Sequence, residues 1–145
     1  MKKVIFILSF FLIPFFAMKC QTKINENSYN KNPERLKRVW MLIEFQGFDR
    51  EDLIKKDAQI NLTDFKNGNA KMGCNSIGFA IKATKLSIKT SNLITTKMHC
   101  GENMKLETAF LKIFSTMNRF KIETHRLTLS NSKKQKMVFV AQDWD

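Results

Sequence analysis

The sequence predicts an α+β domain that is mostly β: a curved antiparallel sheet or incomplete barrel covered by a single packed helix. Three observations predict it. Short runs of period-two alternation recur along the chain, one segment alone carries a helical period, and strands do not alternate with helices as a parallel sheet requires. The 145 residues are one domain's worth, and 43% hydrophobic with 26% charged residues describes a chain that folds around one core.

Residues 1–20 are set aside before the fold is read. Lys2 and Lys3 precede an apolar run from Val4 to Met18 relieved only by Ser9 and Pro14. That is the pattern of an export signal, and it is shorter than the roughly 18 apolar residues that argue for a spanning helix. No small residues stand at the usual positions of an A-x-A-like cleavage site, whereas Cys20 closes the hydrophobic run as the lipidated cysteine of a bacterial lipoprotein does. A membrane tether through Cys20 and ordinary secretion therefore both stay open. Residues 21–35 are polar and Asn-rich with a single Pro33, a flexible linker, and residues 36–145 form the folded domain.

The domain opens on a strand, Val39 to Phe45, that stops at Gln46-Gly47; Phe48 to Asp57 is a loop or short helical turn. Ala58 to Phe65 alternates through Ala58, Ile60 and Leu62, and Lys66-Asn67-Gly68-Asn69 carries the Asn-Gly signal of a tight hairpin into a strand from Ala70 to Cys74. Alternating runs follow at Ile77 to Lys82, Lys85 to Lys89 and Leu93 to Cys100. From Glu102 to Asn118, Leu106, Phe110, Ile113, Phe114 and Met117 recur at spacings of three and four, with Lys105, Glu107, Lys112 and Ser115 on the other side of the helix. Phe120 to Glu123, Arg126 to Leu129 and Lys136 to Ala141 return to period two, the last two joined by the polar turn Ser130-Asn131-Ser132-Lys133.

Charge narrows the partners. The chain carries 25 Lys+Arg against 13 Asp+Glu, and loss of Lys2, Lys3 and Lys19 with the signal leaves 22 against 13, a net +9. An exported protein of this charge meets anionic lipid, cell-wall polymer or an acidic protein before it meets nucleic acid, so no nucleic-acid partner is expected. Scattered lysines on solvent faces also serve solubility alone, and here they form no block of five or six.

Cys74 shares strand parity with Ala70 and Met72, and Cys100 with Ile94 and Met98, so regular strands point both thiols toward the core. A bridge closing the 25 intervening residues would stabilise by roughly 3 kcal/mol in an oxidising compartment; two reduced, buried cysteines are the other reading. Catalytic, metal and cofactor roles find no pattern. His99 and Cys100 are adjacent strand positions facing opposite ways, no C-x-x-C or H-x-x-H pair exists, and Glu102 and Glu107 suit the dipole at a helix start. There is no G-x-S-x-G elbow and no glycine-rich phosphate loop.

Trp40-Met41-Leu42, then Gly73-Cys74-Asn75-Ser76-Ile77-Gly78-Phe79, then Thr95-Thr96-Lys97-Met98-His99-Cys100 ahead of a helix with Glu107 and Phe110, resemble in that order the META domain, the family of the heat-shock protein HslJ. The likeness covers roughly Arg38 to Ala141, with Trp40, Gly73, Cys74, Asn75, Gly78, Thr96, Met98 and Cys100 as its motif residues. It implies an antiparallel β domain with one helix, in exported proteins and lipoproteins linked to envelope stress, without an established enzymatic activity. Lys97 and His99 around Met98 depart from the family's usual residues. By their own chemistry Asn75 and Gly78 suit a tight turn.

The expected function is then a non-enzymatic envelope protein that binds an envelope component through basic strand-face residues such as Lys82, Lys85, Lys89 and Lys97. The alternative is a small barrel holding an apolar or lipid-like ligand between helix and sheet, prompted by eight Met and thirteen Phe. A Cys- or Glu-dependent enzyme is disfavoured because no nucleophile has an identifiable base.

Overall fold

The computed structural model describes residues 32–144; the expected signal, Cys20 and residues 21–31 of the expected linker lie outside the described residues. The elements are β1 (Val39–Phe45), α1 (Arg50–Lys55), β2 (Gln59–Asn61), β3 (Gly68–Lys71), β4 (Ser76–Ala83), β5 (Ile88–Thr95), α2 (Met104–Phe114), β6 (Arg119–Glu123), β7 (Arg126–Ser130) and β8 (Lys136–Ala141). All eight strands join one sheet in the order β5-β4-β3-β2-β1-β8-β7-β6, and every pairing is antiparallel.

The sheet curls until its two ends meet at one corner. Ser87 bridges to Arg119, and the Ile88 amide donates to the Asn118 carbonyl at 3.2 Å. The rest of the β5–β6 seam has no ladder, so the result is the incomplete barrel that the alternation pattern predicts. Inside it lie the inward residues of each strand, with Trp40, Ile60, Ile77, Leu127 and Phe139 fully enclosed. Trp40 pairs in register with Ile60 on one side and Ala141 on the other, and its indole Nε1 donates to the Leu36 carbonyl at 2.9 Å. Helix α2 buries Leu106, Phe110 and Phe114. Phe110 stacks on Phe114 at 4.6 Å, and Phe114 meets Phe79 of β4 edge to face at 4.9 Å. The core runs from Leu36 to Ala141 and closes on itself, so this stretch carries the apolar burial that folding needs.

Five local expectations are corrected. Pro33–Leu36 forms a 3-10 turn capped by the Asn32 side chain, so residues 33–35 are structured and not linker; Leu36 is buried and anchors them. The second strand ends at Asn61, because Asn61 Oδ1 accepts from the Thr63 amide and Asp64 from the Lys66 amide and Asn67 Nδ2, and these side chains replace ladder bonds. The bonds from Asn67 and Lys66 hold the Asp64 carboxyl below its ordinary pKa. Gly68 is therefore not a turn residue. It opens β3 opposite Phe79, whose Cε2 would stand 2.5 Å from any added Cβ.

The two runs expected at Lys85–Lys89 and Leu93–Cys100 are one strand, β5, kept continuous by a bulge. The register shifts between Gly78 and Ala80 of β4, and Asn92 opposite them takes φ 53°, a left-handed conformation that Asn tolerates better than most residues. Finally, the ladder of β3 stops at Lys71 and that of β5 at Thr95, so neither cysteine lies in a strand. The parity argument fails there: Ile94 and Met98 are 69% and 56% exposed, not inward.

Candidate functional site

The motif segments meet at one end of the β4–β5 pair. After β3 the chain passes through Gly73 at φ 109°, a conformation glycine adopts freely, which turns Cys74 and Asn75 back under the start of α2. The segment after β5 returns alongside, and Cys74 is disulfide-bonded to Cys100 with Cα atoms 6.1 Å apart. Irregular backbone on both sides, and not strand pairing, brings the two cysteines together.

Asn75 is the centre of this region and is 2% exposed. Its Nδ2 donates to the Glu107 Oε1 at 3.0 Å and to the Met98 carbonyl at 3.1 Å. Its Oδ1 accepts from the Thr96 hydroxyl at 2.7 Å and from the Met98 amide at 2.8 Å. Two donors and two acceptor sites are all an asparagine side chain offers, and all four are used. The Asn75 amide adds a bond to Glu107 Oε2 at 2.8 Å. Thr96 extends the network: its hydroxyl accepts from the Ser76 amide, and its own amide donates to the Ser76 carbonyl, both at 3.2 Å.

Glu107 is the residue the helical pattern misplaced. Read from spacing it belongs to the solvent side of α2, yet it is buried, with both carboxylate oxygens turned onto Asn75. A hydrophobicity pattern cannot find such a residue, because it is inward and polar. The available signal is its place in the motif order, in the first turn of the helix that follows the Thr-Thr-x-Met-x-Cys segment. Asn75 is likewise more than a turn residue, and Gly78 is not one at all: it lies in β4 opposite Ile94, whose Cγ1 would be 3.1 Å from an added Cβ.

The chemistry open to this arrangement is small. The only buried carboxylate among the described residues faces two N–H donors, the amide oxygen and nitrogen beside it are saturated, and the neighbouring sulfurs are bonded to each other. His99 is exposed, and His125 lies far along the chain in the β6–β7 turn, stacked on Trp144 at 4.7 Å. Glu102 pairs with Lys105 at the surface. Among the described residues no group of three or more His, Cys, Asp and Glu side chains is placed to hold a metal ion, and no helix is long and apolar enough to cross a membrane.

Outside the network, Lys82, Lys85, Lys89 and Lys97 are all exposed, but only Lys82 and Lys89 stand on a strand face: Lys85 lies in the turn between β4 and β5, and Lys97 follows the end of β5. The opposite side of the sheet differs. There Arg126 and Lys136 both reach Glu44, at 3.1 and 3.6 Å, Lys121 pairs with Glu123 and Arg38 with Asp143.

A curled eight-stranded antiparallel sheet with one helix in its mouth, pinned by a buried Asn-Glu pair that bonds to Thr96 beside a disulfide, defines a class of small β half-barrel. The META domain family model matches residues 34–144, and the chain belongs to that family. The fold is similar to a protein from Burkholderia xenovorans solved by NMR, with a TM-score of 0.64 at 15% identity over 79% of this chain and 90% of that one. A second NMR structure matches with a TM-score of 0.63 at 19% identity, covering 77% of this chain and 96% of the other. A search of curated proteins returned no match.

Proposed function

We propose that this META-domain protein is an exported, non-enzymatic component of the bacterial envelope that binds an anionic envelope constituent through its outward lysines, with the stress-linked role that the family resemblance implies. The observation that carries the reading is the saturation of Asn75: the motif's polar groups are spent on holding the fold, which leaves the surface as the part able to act. The Cys74–Cys100 bridge agrees with an oxidising compartment. The alternative of an apolar ligand between helix and sheet meets a space already filled by Phe79, Phe110 and Phe114.

Two measurements test the two halves. Intact mass of the protein from its native cell, before and after reduction and alkylation, is expected to give a chain starting at or just after Cys20 and two hydrogens lighter before reduction. A full-length chain with free thiols would overturn export. Sedimentation with native envelope fragments is expected at about 0.1 M salt and lost near 1 M, where the screening length falls to about 3 Å. Binding that persists unchanged at high salt would overturn the electrostatic mechanism.

A further inference from the structure

The distribution of charge along the chain is uneven in a way that composition hides. From Phe65 to Gly101 the sequence contains no Asp or Glu, yet it carries Lys66, Lys71, Lys82, Lys85, Lys89 and Lys97. This stretch builds β3, β4 and β5, one end of the sheet. Lys71 finds a partner in Asp57 at 2.9 Å. Lys82, Lys85 and Lys89 have no ion pair among the described residues.

These three lysines cluster at the β4–β5 hairpin. Lys82 and Lys89 stand directly opposite each other in the ladder, on the face away from buried Ile81 and Ile88. Like charges in that relation repel, so the pair costs stability and is better explained by an anion outside the protein than by folding. Lys85 lies in the turn between them. The Ser87–Arg119 bridge brings Arg119, also exposed and without an ion pair among the described residues, to the same corner.

In the same turn, next to Lys85, sits Leu86, 59% exposed at the tip of the hairpin. The tip is held in shape. The Thr84 amide donates to the Ser87 carbonyl at 2.9 Å, the Thr84 and Ser87 hydroxyls bond each other at 2.8 Å, and the Ile88 amide is tied to the Asn118 carbonyl just before β6. Leu86 is thus presented outward on an ordered turn.

We infer that this hairpin tip docks on an anionic lipid bilayer, Leu86 entering the headgroup boundary while Lys82, Lys85, Lys89 and Arg119 meet lipid phosphates. The inference rests on the envelope-binding reading and names its partner. Exposed apolar surface ringed by cations is the chemistry of interfacial membrane binding, in which buried apolar area and attraction to anionic headgroups add. A sugar polymer would need ring-stacking aromatics or amide and carboxylate partners. Between Ala80 and Thr90 there are none, and the hydroxyls of Thr84 and Ser87 already bond each other.

The test uses residues 32–145, which contain the whole described core and no tether, with vesicles of phosphatidylcholine alone or with phosphatidylglycerol. Wild type is expected to bind the anionic vesicles only. Leu86→Ser should weaken binding about tenfold, and Lys82→Ser, Lys85→Ser and Lys89→Ser together about a hundredfold. Leu86→Trp should shift its emission to the blue on the anionic vesicles and be quenched by brominated lipid, a local readout that general electrostatic adhesion does not produce. Equal binding by Leu86→Ser together with an unshifted Leu86→Trp would overturn the inference. If vesicles fail but salt-dependent sedimentation with native envelope persists, the lipid falls and the envelope reading stands; if both fail, both fall.

Discussion

Strands β4 and β5 run between two opposite environments. At one end, where Asn75 precedes β4 and Thr96 follows β5, every polar group of the Asn75 side chain is partnered and the chain is closed by a disulfide. At the other, the hairpin tip leaves Lys82, Lys85 and Lys89 without a counter-charge among the described residues, and Leu86 exposed. The same antiparallel pair is over-determined at one end and under-compensated at the other. What this teaches is a contrast in how charge and polarity are spent: around Asn75 the polar groups are used on one another, whereas at the hairpin tip the cations stay exposed and unpaired among the described residues.

The comparison would break most sharply at Asn75. Asn75→Ala removes both donors and both acceptors, leaving the buried Glu107 carboxylate, Thr96 and the Met98 backbone short of partners. A loss of about 3 to 5 kcal/mol is expected in chemical denaturation, and near-wild-type stability would mean the network is incidental. Reduction of the Cys74–Cys100 bridge, or Cys74→Ser with Cys100→Ser, should cost about 3 kcal/mol by freeing the loop it closes; the thermal midpoint with and without reductant measures it. Glu107→Gln is a finer probe. Gln offers one oxygen where the Asn75 amide and Nδ2 each require an acceptor, so about 2 kcal/mol should be lost, and full rescue would show that only one of the two bonds matters.

At the other end the signs reverse. Lys89→Glu places opposite charges across from each other at the Lys82 position, and is expected to raise stability by about 0.3 kcal/mol while reducing vesicle binding. A variant that gains stability and loses binding is the signature of a site maintained for a partner. A Lys89→Glu protein that is less stable than wild type would mean that some local contact of Lys89, not its repulsion with Lys82, dominates there.

Legibility followed the same division. Most of the strands, the packed helix and the enclosed Phe110 and Phe114 are readable because alternation and helical spacing report directly which residues turn away from water. The sequence leaves the Cys74–Cys100 bridge as one of two readings, and shared strand parity is not what forms it, since both cysteines sit in irregular backbone beyond the ladders. Helical spacing puts Glu107 on the wrong side of its helix, and residue type alone gives Asn75 only a turn's role. Both errors have one cause: a buried polar residue is stable only through a partner distant in sequence, here 32 residues away, and no local pattern carries that information.

By itself, then, the sequence determined the β-rich class, the antiparallel connections and the outward lysines, because hydrophobic periodicity and charge act within a few residues of their own position. Only the tertiary structure decided which segments close the barrel, that Asn67-Gly68 would yield its turn to Asp64, and that the motif residues would converge on Asn75. Each of those depends on groups that meet only after the sheet has curled, and their energies, hydrogen bonds satisfied in a dry interior and a Cβ that Phe79 forbids, do not exist in the extended chain.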